Sequence, residues 1–170
     1  MFDGPLDQHS LISDEREYTD SLIDRIWKNV PVSQQAFFKL LTLLEIKVSF
    51  KVPTACVTLG ARSRLLINPG FTREYCRTDQ RLMMLVLHEL FHVLLGHTRL
   101  FKKVTDTQNW AFDAVINSHL CMLFPDEPHT ALFRSLYLPD RMPEALLLPP
   151  GDGGPPRCAG NSRGPGITAR

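Results

Sequence analysis

The chain lacks an uninterrupted apolar run long enough to span a membrane, because its longest apolar stretch, residues 82–95, is broken by two histidines and a glutamate. It also lacks an excess of charge: 19 Lys and Arg against 18 Asp and Glu leave a net charge of +1, which argues against a general polyanion binder. No basic start followed by an apolar run opens the sequence, so no secretory signal is expected. These absences predict a cytoplasmic protein that binds neither membranes nor nucleic acid.

Cysteine pairs with metal-binding spacing are also absent. The four cysteines lie 20, 45 and 37 residues apart, without a C-x-x-C pair. Such spacing is typical of reduced thiols and not of a disulfide framework or a cysteine zinc site. The sequence further lacks a glycine-rich phosphate loop and a G-x-S-x-G serine motif, which argues against nucleotide and serine-hydrolase chemistry.

The length of 170 residues and a hydrophobic content of 44% fit one packed domain. We predict a flexible arm over residues 1–12, the domain over residues 13–148 and a disordered tail over residues 149–170. Eleven of the first eighteen residues of that tail are proline or glycine, with almost nothing apolar to bury.

Hydrophobic periodicity predicts an α+β domain that starts with two helices. Ser13 is positioned to cap the first helix, and Ser33 opens a second that is apolar enough to be buried on most sides. The period then changes to that of strands, which we predict over residues 46–52, 54–60 and 63–68, the last two forming a hairpin.

Two further helices are predicted after the strands. Residues 68–70, Asn-Pro-Gly, indicate a turn. Thr78 then caps a helix over residues 79–95, where Gly96 is a natural stop. A further helix is predicted over about residues 106–123.

The helix over residues 79–95 contains the motif H-E-x-x-H. His88 and His92 lie about 40° apart around the helix axis and about 6 Å apart along it, so both imidazoles can reach one tetrahedral metal ion. Glu89 stands beside that position, where a base can take a proton from water. Because these polar groups lie in an apolar helix, a metal is the simplest partner for them. The motif predicts a zinc site with Glu89 as the catalytic base.

A catalytic zinc ion normally has three protein ligands, and Asp113 is the favoured third ligand. With Asn109 and Asn117 it forms a polar stripe at positions i, i+4 and i+8 of the next helix. Asp113 lies 21 residues after His92, which leaves room for a turn and an antiparallel return.

His97 is the alternative third ligand. On a continuing helix it would point about 180° away from His88, so only a chain reversal at Gly96 can bring it to the metal. It has two other expected roles. It can be a residue at the helix C-terminus, where the helix dipole favours a histidine, or a hydrogen-bond partner of a metal ligand.

Residues 54–120 resemble a bacterial metallopeptidase domain that is often found N-terminal to a von Willebrand factor A-like domain. The resemblance rests on three motifs in the same order, RLLINPGF, HELFHVLLGH and NWAFDAVIN. It implies a zincin-like fold, zinc held by His88, His92 and Asp113, Glu89 as the catalytic base, and a peptide or protein substrate. We do not recognise in this sequence the von Willebrand factor A-like domain that many relatives carry. A partner protein is the expected source of that domain.

Two other interpretations stay open. In the first, the chain is a non-catalytic zinc-binding interaction module within a larger assembly, with His97 or Cys121 as a fourth ligand that closes the site, since a closed site cannot activate water. In the second, the chain is a truncated remnant of a longer peptidase, which predicts a core left uncovered near residues 146–148. The catalytic interpretation predicts that the free edge of the hairpin holds an extended peptide by strand addition.

Overall fold

The fold is α+β, as predicted, and has the size of a small single domain. A computed structural model describes residues 8–29, 35–101 and 103–149. Its elements in chain order are α1 (Gln8–Asn29), α2 (Gln35–Thr42), β1 (Glu45–Val48), β2 (Ala55–Thr58), β3 (Arg64–Ile67), α3 (Pro69–Tyr75), α4 (Asp79–Leu94), α5 (His97–Leu100), α6 (Asp106–Leu123), α7 (Glu127–Leu136) and a C-terminal 3-10 helix (Glu144–Leu147).

Helix α4 lies at the centre of the fold. It begins after Thr78, whose side chain accepts a hydrogen bond from the backbone N–H of Arg81, as predicted. All side chains over residues 82–87 are buried, and α4 packs against α1, α2, α6, α7 and β2. A helix that is apolar on all sides belongs in a domain interior. Polar side chains further along α4 must therefore find partners inside the protein.

The two N-terminal helices differ from their predictions. Helix α1 begins at Gln8, so residues 8–12, predicted to be part of a flexible arm, are helical, and Ser13 is not a cap. No glycine or proline interrupts residues 6–12, so the helical hydrogen bonds can extend upstream. Helix α2 is amphipathic and not buried on most sides, since residues 35, 36, 39 and 42 are exposed. Residues 1–7, Ser33 and residues 150–170 lie outside the described residues.

The strands form one mixed sheet in the order β1-β3-β2. Strands β2 and β3 are antiparallel with Val57 opposite Leu65, which confirms the predicted hairpin, whereas β1 is parallel to β3 with Ile46 opposite Leu65. Alternate residues of the hairpin strands are buried, and β2 packs against α4. Strand β2 lies at the edge of the sheet, and among the described residues no strand pairs with its outer side.

The Asn68-Pro69-Gly70 segment is a helix start and not the predicted turn. The Asn68 side chain accepts hydrogen bonds from the backbone N–H groups of Gly70 and Phe71, and Pro69 is the first residue of α3. Asparagine is a preferred N-cap and proline is favoured at the first helical position, so the same three residues serve a helix as well as a turn.

Helix α6 spans the predicted residues and begins with a capping box. The Thr105 hydroxyl accepts from the Gln108 N–H, and the Gln108 side chain accepts from the Thr105 N–H. The C-terminal 3-10 helix packs against α6 and buries Leu147, which is 2% exposed, while Leu146 is 46% exposed. The core is therefore covered at Leu147, where the interpretation as a truncated remnant predicts that it is open.

Two findings concern membrane spans and cysteines. Across the described residues, each helix is too short or too polar to cross a bilayer. The three cysteines in the same part of the chain, Cys56, Cys76 and Cys121, are free thiols.

Gly96 ends α4 and reverses the chain. Its φ of 73° is left-handed, and α5 starts at the next residue. A Cβ atom at this position would lie 3.2 Å from Leu100 Cδ1. Glycine is the one residue that adopts this conformation without a steric cost, so the reversal depends on it.

We expect Gly96→Ala to lower the free energy of unfolding by about 1–2 kcal/mol, the cost of a left-handed conformation for a residue with a Cβ atom. Urea denaturation followed by circular dichroism measures this change. Gly60→Ala is the matched control, because a Cβ atom at Gly60 would meet nothing within 4 Å. Equal losses in the two variants would contradict the strain at Gly96.

Candidate metal centre

Three side chains from α4 and α6 converge on one point. His88 and His92 lie one turn apart on α4, and their Nε2 atoms are 3.1 Å apart. Asp113 of α6 places its Oδ1 atom 3.1 Å from His92 Nε2 and 3.5 Å from His88 Nε2. The three ligand atoms thus form a group that can hold a metal ion.

The spacing of these atoms fits a tetrahedral metal site. Zinc binds histidine nitrogen and carboxylate oxygen at about 2.0–2.2 Å, so two ligands at the tetrahedral angle are separated by roughly 3.3 Å. The observed separations of 3.1, 3.1 and 3.5 Å lie close to that value, on both sides of it. The side chains of the three residues are 13–17% exposed, so the group is shielded but not sealed from solvent.

Asp113 and His88 are each oriented by an asparagine of α6. Asn109 Nδ2 donates to Asp113 Oδ2 at 3.1 Å, which leaves Oδ1 for the histidines. Asn117 Oδ1 lies 2.9 Å from His88 Nδ1. The predicted polar stripe of Asn109, Asp113 and Asn117 therefore faces this one group, and each asparagine contacts a candidate ligand.

His97 contacts His92 from outside the group. The reversal at Gly96 brings its Nδ1 within 3.2 Å of His92 Nδ1, the nitrogen that faces away from Asp113. Its ring is stacked on Phe112 of α6, with centroids 3.8 Å apart. His97 thus occupies the place of a hydrogen-bond partner of His92. Among the described residues, neither His97 nor Cys121 belongs to the group of ligand atoms.

Electrostatics make this group a site for a positive charge. Burial would raise the pKa of Asp113, but the hydrogen bonds to His88 and His92 outweigh it and lower that pKa to about 2. Burial would likewise lower the pKa of His88, but the hydrogen bond to Asp113 and the charge of Glu89 outweigh it and raise that pKa. The charged carboxylate is therefore stabilised by a cation between the three side chains, either a proton or a metal ion.

Glu89 lies beside the group, as the motif predicts. Burial raises the pKa of its carboxyl group above the usual value, and the nearby charges of His88 and His92 work against that effect. The backbone N–H of Val57 on β2 also lowers this pKa, which places the carboxyl group near the free edge of the sheet. A carboxylate with a raised pKa is a stronger base than an exposed glutamate.

The group opens into a cleft of about 570 Å³, a volume within the usual range of ligand sites. One wall is the segment of residues 51–57, which includes β2. Within the described residues β2 has a strand partner on one side only, so the outer N–H and C=O groups that are not bonded to Glu89 are available to another chain. Outside that segment, the apolar residues of the lining are Phe71, Leu85, Phe101, Val104, Phe112, Leu132, Phe133 and Leu136.

Helix α7, which the sequence analysis missed, supplies another wall of the cleft. Its start has recognisable sequence signals, namely Asp126 at the N-cap position followed by Glu127 and Pro128, and residues 130–133 are buried. Tyr137 follows α7 and also lines the cleft. Burial and the charge of Asp113 raise the pKa of Tyr137 to about 12, so its hydroxyl stays protonated and can donate.

Comparison of this chain with the models of known protein families, with curated proteins and with solved structures finds no match. The resemblance to a bacterial metallopeptidase domain and the zincin-like fold therefore stay predictions that rest on the three sequence motifs.

Proposed function

We propose that this chain is a zinc-dependent metallopeptidase that hydrolyses peptide bonds with water and uses Glu89 as the general base. The observation that carries the proposal is the three-residue group of His88, His92 and Asp113, which opens into a cleft with Glu89 beside it. Three protein ligands with an open position are typical of catalytic zinc sites, whereas structural sites have four.

The donor set favours zinc. Two imidazole nitrogens and one carboxylate oxygen match the two histidines and one acid of known catalytic zinc sites. When bound, such an ion polarises a carbonyl group and lowers the pKa of the water molecule that it holds to about 7. The residues that would hold it are His88, His92 and Asp113, each with a second polar partner that limits its rotation.

Glu89 moves the proton in the proposed reaction. Its carboxylate accepts a proton from the water molecule as the water oxygen attacks the scissile carbonyl carbon. As the carbon–nitrogen bond breaks, Glu89 returns that proton to the leaving amine. The protonated Tyr137 hydroxyl lines the same cleft and is a candidate donor to the oxygen that becomes negative during the attack.

The proposed substrate is an extended peptide. The outer edge of β2 lines the cleft and can pair with a peptide backbone by strand addition, while the apolar walls can accept its side chains. The von Willebrand-like partner stays a prediction of the sequence resemblance.

The rival proposal is a zinc-binding interaction module without catalytic activity. It needs a closed shell, and the described residues offer three ligand atoms to the group, with His97 and Cys121 outside it. This open position favours catalysis over the binding module.

A direct test is cleavage of an unfolded protein such as casein by the full chain, with zinc, with a chelator, and with zinc restored. New peptide N-termini are identified by mass spectrometry. We expect cleavage with zinc, its loss in the chelator and its return with zinc. A folded, zinc-loaded chain that produces no new N-termini would contradict the proposed peptidase and favour the binding module.

A further inference from the structure

We propose that Asn117 is a positioning residue that holds His88 in the tautomer whose Nε2 atom can bind a metal ion, and that the carbonyl group of Leu147 sets the orientation of Asn117. This inference rests on the proposed metal site, but it concerns the protein's own hydrogen bonds. It therefore applies to the metal-free chain as well.

The contact with Leu147 sets the orientation of the Asn117 amide, which also contacts His88 and the Tyr137 hydroxyl. Asn117 is fully buried, its Nδ2 donates to the Leu147 carbonyl oxygen at 3.0 Å, and its Oδ1 lies 2.9 Å from His88 Nδ1. A backbone carbonyl group can only accept a hydrogen bond, so the NH₂ group must face Leu147. The Oδ1 atom is then the only Asn117 atom that can face His88.

The tautomer of His88 follows in turn. Because an amide oxygen only accepts, the hydrogen bond between Asn117 and His88 requires a proton on His88 Nδ1. A neutral imidazole carries one ring proton, so Nε2 keeps its lone pair. That lone pair points to the position between His92 Nε2, at 3.1 Å, and Asp113 Oδ1, at 3.5 Å.

The opposite arrangement is unfavourable for a physical reason. A flipped amide would place Asn117 Oδ1 against the Leu147 carbonyl oxygen, so that two buried acceptors would face each other and the hydrogen bond to Leu147 would be lost. Each buried polar group without a partner costs about 1–3 kcal/mol. Leu147 lies 30 residues further along the chain in the C-terminal 3-10 helix, and it acts on His88 through two hydrogen bonds in series, Leu147 to Asn117 and Asn117 to His88.

The first test measures the His88 tautomer directly. In the full, metal-free, ¹⁵N-labelled chain, at a pH where imidazole is neutral, ¹H–¹⁵N correlation spectra distinguish the protonated ring nitrogen from the unprotonated one. We expect the proton of His88 on Nδ1. A proton on Nε2 in the wild-type chain would overturn the proposal without the use of any variant.

The second test uses two variants whose side chains have the same number of non-hydrogen atoms as asparagine. Asn117→Leu removes the acceptor, so we expect the Nδ1–H tautomer to be lost and zinc affinity to fall about 10–100-fold, the usual effect of losing an outer partner of a ligand. Asn117→Asp keeps an acceptor for the Nδ1 proton but cannot donate to Leu147. We expect Asn117→Asp to keep the Nδ1–H tautomer and most of the zinc affinity. Its thermal stability should be lower than that of the wild type. Equal losses of zinc affinity in both variants would contradict the role of the acceptor.

Thr130→Val is the control for a general loss of stability. Thr130 is 3% exposed, its hydroxyl donates to the backbone carbonyl groups of Asp126 and Glu127, and it is not among the residues that line the cleft. We expect this variant to lose stability but neither zinc affinity nor the His88 tautomer. A fall in zinc affinity in Thr130→Val equal to that in Asn117→Leu would overturn the proposal.

The two readouts separate this proposal from the proposed function. If the wild-type chain binds no zinc but shows the Nδ1–H tautomer of His88, the metallopeptidase proposal fails and the role of Asn117 stands. If the chain binds zinc with His88 protonated on Nδ1 but Asn117→Leu retains full affinity and the same tautomer, the positioning role fails and the zinc site stands.

Discussion

Asp113→Ala is expected to release zinc from a chain that otherwise binds about one ion. The carboxylate is one of three ligand atoms, and a pair of histidines alone leaves two positions of the tetrahedron to solvent. We expect the zinc affinity to fall by more than the roughly 100-fold that loss of an outer partner can cause. Elemental analysis of protein purified without added metal, followed by zinc titration, measures the change.

His92→Ala is expected to release zinc in the same way, because His92 Nε2 is 3.1 Å from both other ligand atoms. Asp106→Asn is the matched control, since it removes an exposed carboxylate from the first turn of the same helix, α6. We expect this control to keep its zinc. Retention of zinc by Asp113→Ala but not by His92→Ala would exclude Asp113 as a ligand, and His97→Ala would then become the next variant to measure.

The sequence was sufficient to predict those parts of the site that depend on helix geometry. The spacing of His88 and His92 defines one face of a helix whatever surrounds it. The stripe of Asn109, Asp113 and Asn117 could also be predicted. Three polar residues at a spacing of four lie on one face of a helix, and on an apolar helix that face needs polar partners. The structure brings both sets together.

The parts that the sequence analysis missed depend on contacts between distant segments. The reversal at Gly96 turns His97 back to His92, and periodicity alone cannot distinguish this from a helix that simply ends. The hydrogen bond from Asn117 to Leu147 joins residues 30 positions apart and has no local signal. Helix α3 was missed because an Asn-Pro-Gly segment suits both a turn and a helix N-terminus.

Glu89→Gln is expected to keep zinc and to lose turnover. Glutamine has the same shape as glutamate but cannot accept the proton of the attacking water, and general base catalysis typically contributes 10²–10⁴-fold to a rate. We expect kcat to fall by roughly that factor. Because Glu89 is not among the three ligand atoms, the zinc content should match that of the wild type. Cleavage of a fluorogenic peptide chosen from the casein products measures kcat, and elemental analysis measures zinc.

The stability of the same variant separates a catalytic role from a structural one. Burial raises the pKa of Glu89, which means that the fold disfavours its charged form. A neutral glutamine removes that cost, so we expect no fall in the free energy of unfolding of the metal-free chain. Glu127→Gln, at an exposed position in the first turn of α7, controls for the loss of a carboxylate elsewhere and should keep full activity. Full activity in Glu89→Gln would remove Glu89 from the mechanism, whereas joint loss of zinc and stability would make it a structural residue. A stable, zinc-loaded and inactive variant is the result that the proposed general base requires.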